Sequence, residues 1–224
     1  MIPYVPDDTS TKLSPAKAPK SGNRMSGPER RAQIIDAAIA LFGRHGFKGT
    51  TTKALAQASG VSEATIFKHF PTKNDLYAAA FERRTSVGTE QLIAELQDYV
   101  ERGEDERLLR TLIRAIFYGY EHDRDLHRML LYNWLEQEPS DNQRLSEQMR
   151  SYPLFVFLKK YVQRRQAEGA FSQESSGLIA AALTGLPAQE AIRRKLYGVD
   201  PGFSDDAVVE AYARLLLDGL RVRP

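Results

Sequence analysis

Residues 51–70 read TTKALAQASGVSEATIFKHF. Thr51 is a capping residue type, and Leu55 and Ala56 give the following segment, Thr52 to Ala58, one apolar side. Ser59 and Gly60 end that short helix, glycine tolerating the left-handed conformation of a tight turn. Ser62 caps a second helix that runs to about Phe70, with Val61 and Ile66 at the two ends of a hydrophobic staple. Pro71 stops it, because the residue before a proline avoids the helical region. Two short helices joined by such a turn make a helix-turn-helix. The second presents Ser62, Glu63, Ala64, Thr65, Lys68 and His69 outward and keeps Val61, Ile66 and Phe70 inward. Small residues at a helix start let it approach base edges, and its N-terminal dipole favours phosphate. A helical hairpin with glycine in its turn is also an ordinary packing unit with no nucleic-acid partner.

The flanking sequence is helical on both sides. Ser26 and Glu29 have the spacing of a capping box around Pro28, and Ile34, Ile35, Ala38, Leu41 and Phe42 recur at helical spacing. Gly46 fits a left-handed stop, so the first helix covers about 28–45. Thr72 and Asp75 form a second capping box that opens a long helix from Lys73 to about Tyr99. Residues 105–121, 124–137, 142–168, 174–197 and 204–220 each read as helix. Pro153 is expected to kink the third of these, and Gly185 and Pro187 to interrupt the fourth. No window alternates with period two. The expected architecture is all-α with about nine helices. A three-helix domain containing the helix-turn-helix covers 26–75, and a larger helical domain covers 76–224. Residues 1–25 hold four prolines and four basic residues without periodicity, which reads as a disordered basic tail.

Composition narrows the function. The chain has 224 residues and no cysteine, which excludes a disulfide scaffold, thiolate metal sites and a cysteine nucleophile. No stretch approaches the ~18 apolar residues of a membrane span, and residues 1–25 lack the apolar core of a secretory signal, so a cytoplasmic location without membrane contact is expected. Neither a G-x-S-x-G elbow nor a phosphate-cradling glycine loop is present, and His45, His69, His122 and His127 lack metal-ligand spacing. No catalytic residue, metal or cofactor is expected. The net charge of +2 hides an asymmetry. Residues 1–88 hold 13 Lys and Arg against 7 Asp and Glu, and residues 89–224 hold 18 against 22. A basic third joined to an acidic remainder points to nucleic acid.

Ile34-Ile35-Asp36-Ala37-Ala38, Leu41-Phe42, His45-Gly46-Phe47, Thr50-Thr51, Leu55-Ala56, Ala58-Ser59-Gly60-Val61-Ser62, Thr65-Ile66-Phe67-Lys68-His69-Phe70 and Lys73-Asn74-Asp75-Leu76 stand in an order and spacing that resemble the tetracycline-repressor (TetR) family of bacterial regulators. The resemblance covers roughly residues 30–80 and implies that 76–224 form a helical ligand-binding and dimerisation domain. It implies that Thr50 and Thr51 bind phosphate, that Ser62, Glu63, Ala64 and Thr65 face bases or the adjacent backbone, and that His69 and Lys73 anchor phosphates, with Lys68 also among the DNA-binding residues. The family usually has tyrosine where this chain has Phe67, whose ring can only pack against sugar or a thymine methyl. Glu63 reads equally as a first-turn acid that suits the helix dipole. The resemblance also implies a repressor that binds a palindromic double-stranded operator as a homodimer and is released by a small-molecule effector. An activator of the same family and a helical interaction module without DNA binding are the other readings.

The C-terminal two-thirds resembles the family only in helical layout. Its aromatic content suits a pocket for an apolar or aromatic effector, with Tyr118, His127, Trp134 and Tyr152 as lining residues by analogy. Arg110 and Arg114 read as surface ion-pair formers or as partners of an acidic ligand. The last two helices are apolar over more than one stripe, which suggests a twofold interface through Leu178, Ala182, Leu186, Val208, Tyr212, Leu215 and Leu216.

Overall fold

The capping signals at Ser26, Thr51, Ser62 and Thr72 each open a helix in the computed structural model, which describes residues 25–136, 151–199 and 202–222 except the side chains of 84–87, 133 and 134. Among the described residues there are nine α-helices. They are α1 (Gly27–Gly49), α2 (Thr52–Ala58), α3 (Glu63–His69), α4 (Lys73–Arg102), α5 (Asp105–His122), α6 (Arg124–Glu136), α7 (Pro153–Ala167), α8 (Ser176–Ala191) and α9 (Asp205–Leu220). A π-helical turn, Ile192–Leu196, continues α8. No strand is present among these residues, and one isolated bridge pairs Phe171 with Arg221.

Local chemistry accounts for the first four helices. Ser26 accepts from the Glu29 N–H while the Glu29 carboxylate accepts from the Ser26 N–H at 2.8 Å. Thr72 and Asp75 repeat that reciprocal bond at the start of α4. Gly46 breaks α1 with φ 71 and ψ 179, and one further helical turn follows before Thr50. Gly60 turns the chain between α2 and α3 with φ 61.

Two apolar cores result. The first joins Ile34, Ile35, Ala38 and Phe42 of α1 to Leu55 of α2, Ile66 of α3 and Leu76 and Ala80 of α4. Leu126 and Met129 of α6 belong to it as well. The second is built from Leu96 of α4, Leu109 and Leu112 of α5, Leu158 and Val162 of α7, Leu183 of α8 and Leu217 of α9, with Phe171 between α7 and α8. Helix α6 thus lies in sequence between α5 and α7, which build the second core, yet packs into the first. A Cβ on Gly43 would stand 2.7 Å from the Asp125 carbonyl oxygen, so α1 and α6 meet here backbone to side, at a distance only glycine allows. The Tyr77 hydroxyl donates to the Met129 carbonyl at 3.0 Å and adds a second tie.

Beneath the second core lies a buried ionic group. The Asp105 carboxylate accepts from the Tyr161 hydroxyl at 2.8 Å and from the Arg165 guanidinium at 2.7 Å, which holds α7 against the start of α5. Burial, with the carboxylate alongside, pushes the Tyr161 hydroxyl pKa upward.

Two proline expectations need correction. Pro153 stands in the first turn of α7 after an extended Tyr152, so among the described residues it opens a helix and does not kink one. Pro187 sits inside α8 without interrupting it. Ile179, Leu183, Pro187 and Ala191 form one buried stripe, and its packing outweighs the single backbone bond that proline removes.

Candidate nucleic-acid interface

Helix α3 has two faces. Ile66 is 3% exposed and the adjacent Phe70 2%, both locked into the first core. Glu63, Ala64, Phe67 and Lys68 are exposed, and Phe67 leaves 46% of its surface open. At the helix start Ser62 Oγ accepts from the Thr65 N–H at 3.1 Å, and the Ser62 and Thr65 hydroxyls bond each other at 2.8 Å. Thr51, also exposed, accepts from the Ala54 N–H at 3.1 Å and caps α2. His69 is half-buried with its ring 6.4 Å from that of Phe70.

Two of the expected phosphate residues are turned inward. Thr50 is 1% exposed and its hydroxyl donates to the Gly46 carbonyl at 2.7 Å. It closes the break in α1, and a side chain so buried has no access to a phosphate. Lys73 donates from Nζ to the carbonyls of Phe47 (2.8 Å) and Thr50 (3.0 Å) and stands 4.2 Å from the Phe47 ring centroid. Partial burial lowers its pKa, against the opposing pull of the Glu136 carboxylate. An ammonium has three N–H donors, so one remains for a partner outside.

Glu136 is the residue here that sequence reasoning missed. Its carboxylate, at the end of α6, accepts from the Lys48 N–H at 2.7 Å and fills the space where Gly46 would carry a Cβ. The segment 46–50 is therefore held by Thr50, Lys73 and Glu136 together, directly before the cap of α2. Gly43, a lone glycine inside a helical pattern, was the one sequence signal for this packing.

The described members of the expected effector set each have neighbours of their own. Tyr118 is 55% exposed and stacks on His122 with centroids 3.8 Å apart. His127 donates from Nδ1 to the Asp123 carbonyl at 2.8 Å and lies against Tyr120, and burial lowers its pKa. The Tyr152 and Thr89 hydroxyls bond at 2.6 Å, with the Phe81 ring 6.1 Å from that of Tyr152. The Trp134 side chain falls outside the described residues. Arg110 and Arg114 pair with Glu210 (2.8 Å) and Asp206 (3.2 Å) on α9, as surface ion-pair formers do. An open polar groove of about 390 Å3 lies elsewhere, between residues 103–107 and Arg221.

The expected interface residues divide. Leu178, Ala182, Leu186 and Leu215 are exposed on α8 and α9, Leu178 by 73% and Leu215 by 61%. Val208 is buried in the second core, and Tyr212 and Leu216 pack half-buried against it. Their apolar character is used within the chain.

Residues 34–80 match the family model for bacterial regulatory proteins of the tetR family. Over that span the chain is similar to the N-terminal segment of TetR-family regulators. The matched span runs from α1 through α2 and α3 to Ala80 in α4. Among curated relatives, the HTH-type transcriptional activator FasR of Mycolicibacterium smegmatis is 30% identical over 126 residues, 56% of each chain. The HTH-type transcriptional repressor AcnR of Corynebacterium diphtheriae is 26% identical over 121 residues, 54% of this chain and 58% of the relative. The chain spans about half the length of the curated relatives it matches. The solved structure of the fatty acid degradation regulator FadR from Bacillus halodurans superimposes with a TM-score of 0.67 at 22% identity, covering 89% of this chain and all of that one. FadR from Bacillus subtilis, solved with stearoyl-CoA, gives 0.66 at 18%, covering 84% and 98%. At these identities the two FadR structures speak for the all-α fold alone.

Proposed function

We propose that the protein is a transcriptional regulator that docks α3 in the major groove of an operator and changes its grip on DNA when the helices of the second core bind a small molecule. The observation that carries this reading is the division of α3. Ile66 and the adjoining Phe70 anchor it while Glu63, Ala64, Phe67 and Lys68 stand clear. Phosphate contacts fix the register of such a helix and base contacts give it sequence choice. Thr51, Lys68, His69 and the remaining N–H of Lys73 are placed at the backbone in this reading, and the basic balance of residues 1–88 favours the encounter.

The exposed Leu178, Ala182, Leu186 and Leu215 support a homodimer in which α8 and α9 of one copy pack on those of the next. Two copies of α3 would then read half-sites about 34–36 Å apart or a multiple of that spacing. The effector is an apolar or aromatic small molecule bound among α4 to α7. That a relative of the same fold was solved with stearoyl-CoA is in keeping with an apolar ligand. Relatives named activator and repressor both match, so the reading is of a regulator irrespective of sign.

The test is selection of duplexes from random DNA by the full chain, followed by titration at several salt concentrations. A specific regulator enriches a palindromic site and loses affinity steeply as salt rises. Failure to enrich any site, or affinity indifferent to salt, overturns the reading. Sedimentation of wild type and Leu178→Asp checks the dimer: the variant should be monomeric with unchanged helicity.

A further inference from the structure

We propose that α3 reads a thymine of the operator through its 5-methyl group, with the Phe67 ring as the contacting surface and the Ala64 methyl beside it. The proposal rests on the duplex-binding reading above and adds the chemistry of the contact.

The argument begins with the polar groups that face outward. The Ser62 and Thr65 hydroxyls bond each other, and Ser62 Oγ also accepts the Thr65 N–H, so both close the start of the helix. The middle of the outward face then consists of Glu63, Ala64 and Phe67, all exposed. Glu63 and Ala64 lie four and three residues before Phe67, so the three share one face.

That face is unsuited to a phosphate. The Glu63 carboxylate is repelled by the DNA backbone, and a phenyl ring offers no donor to a phosphate oxygen. The cations that can meet the backbone, Lys53 on α2 and Lys68 at the end of α3, are exposed outside this triplet. With phosphates met at the flanks, the centre is directed at base edges. The thymine methyl is the one apolar group that a base presents in the major groove, and alanine and phenylalanine are side chains that pack on it.

The Phe67 ring also belongs to neither apolar core. It is 46% exposed on a helix whose neighbouring apolar residues, Ile66 and Phe70, are 3% and 2% exposed. A large ring left open at the centre of a charged face gains by covering an apolar group on its partner.

The test uses the full chain and a duplex that the wild type has selected. Each thymine in turn is replaced by 2′-deoxyuridine, which removes the methyl and keeps the base pairing. At one thymine per half-site the wild type should lose about fourfold in affinity for each methyl removed. In Phe67→Ala the thymine and uracil duplexes should bind alike at that position, whereas Phe67→Leu, still apolar, should retain part of the discrimination. Phe67 lies outside both cores, and circular dichroism checks that each variant is folded. Equal affinity for thymine and uracil at every position overturns the proposal, as does a uracil penalty that persists undiminished in Phe67→Ala. A wild type that selects no duplex overturns the duplex-binding reading and this proposal with it; a selected duplex indifferent to uracil overturns this proposal alone.

Discussion

The Lys48 backbone N–H donates to the Glu136 carboxylate at 2.7 Å, joining residues 88 apart in sequence. The bond ties the end of α6 to the segment that leads into α2, where Gly46, Thr50 and Lys73 already converge. Glu136→Ala should leave that N–H without its partner and cost about 1 kcal/mol. Glu136→Gln keeps a carbonyl acceptor and should lose less. Hydrogen exchange read at the Lys48 amide, alongside denaturant unfolding, checks this; unchanged protection in Glu136→Ala would show that the bond does not hold the segment.

Gly43→Ala should be among the more damaging single-methyl changes in the chain. The new Cβ would lie 2.7 Å from the Asp125 carbonyl oxygen and 2.9 Å from its Cα, and backbone cannot move aside as a flexible side chain can. Overpacking of this kind costs about 1–3 kcal/mol. Thermal unfolding of the variant measures it, and a Tm equal to wild type would mean that α6 shifts freely on α1.

Lys68 and Lys73 should differ when each is changed to alanine. The Lys68 side chain is exposed, with no hydrogen bond or ion pair to another described residue. Its loss should reduce the salt dependence of DNA binding by about one phosphate contact and leave stability unchanged. Lys73 holds the Phe47 and Thr50 carbonyls, so Lys73→Ala should weaken DNA binding and lower the unfolding midpoint together. Matched salt titrations and denaturation curves separate the two. Loss of stability in Lys68→Ala, or none in Lys73→Ala, would reverse the assignment.

His127 should make the fold less stable in mild acid. Burial lowers its pKa below the ordinary 6.5, only partly offset by the Asp123 carbonyl and the Asp123 charge. The unfolded chain therefore takes up a proton more readily than the folded one. Stability from this residue is full above pH 6.5 and falls as pH drops through the lowered pKa. His127→Phe keeps a ring against Tyr120 and removes the titration. The drop in unfolding midpoint between about pH 7.5 and about pH 5 should be smaller in the variant than in wild type, and equal drops would refute the role.

What was legible in the sequence was what acts over a few residues. The caps at Ser26, Thr51, Ser62 and Thr72 each bind an N–H three positions on, and all four open helices. Gly46 and Gly60 mark their turns for the same reason. The docking of α6 was not legible, because Leu126 and Met129 make an apolar stripe that would suit either core. Thr50 and Lys73 carry the chemistry of phosphate contacts, but their partners are carbonyls that only the folded chain brings within reach. Val208, Tyr212 and Leu216 were indistinguishable in sequence from Leu178 and Leu215, since an apolar side chain does not reveal whether its cover comes from its own chain or another. The Tyr118, His127 and Tyr152 grouping rested on analogy, and no local pattern fixed where those rings point.

The position of α6 bears on how the protein can be taken apart. A fragment ending at Ala80 would include the whole matched segment yet leave Phe42 and its neighbours without Leu126 and Met129 against them. The helix-turn-helix unit of this chain is thus not a cassette that can be cut at a linker and grafted elsewhere. Its last structural part is delivered some 45 residues later in the chain, so transplanting that unit means carrying α6, and the connection through α4 and α5, along with it.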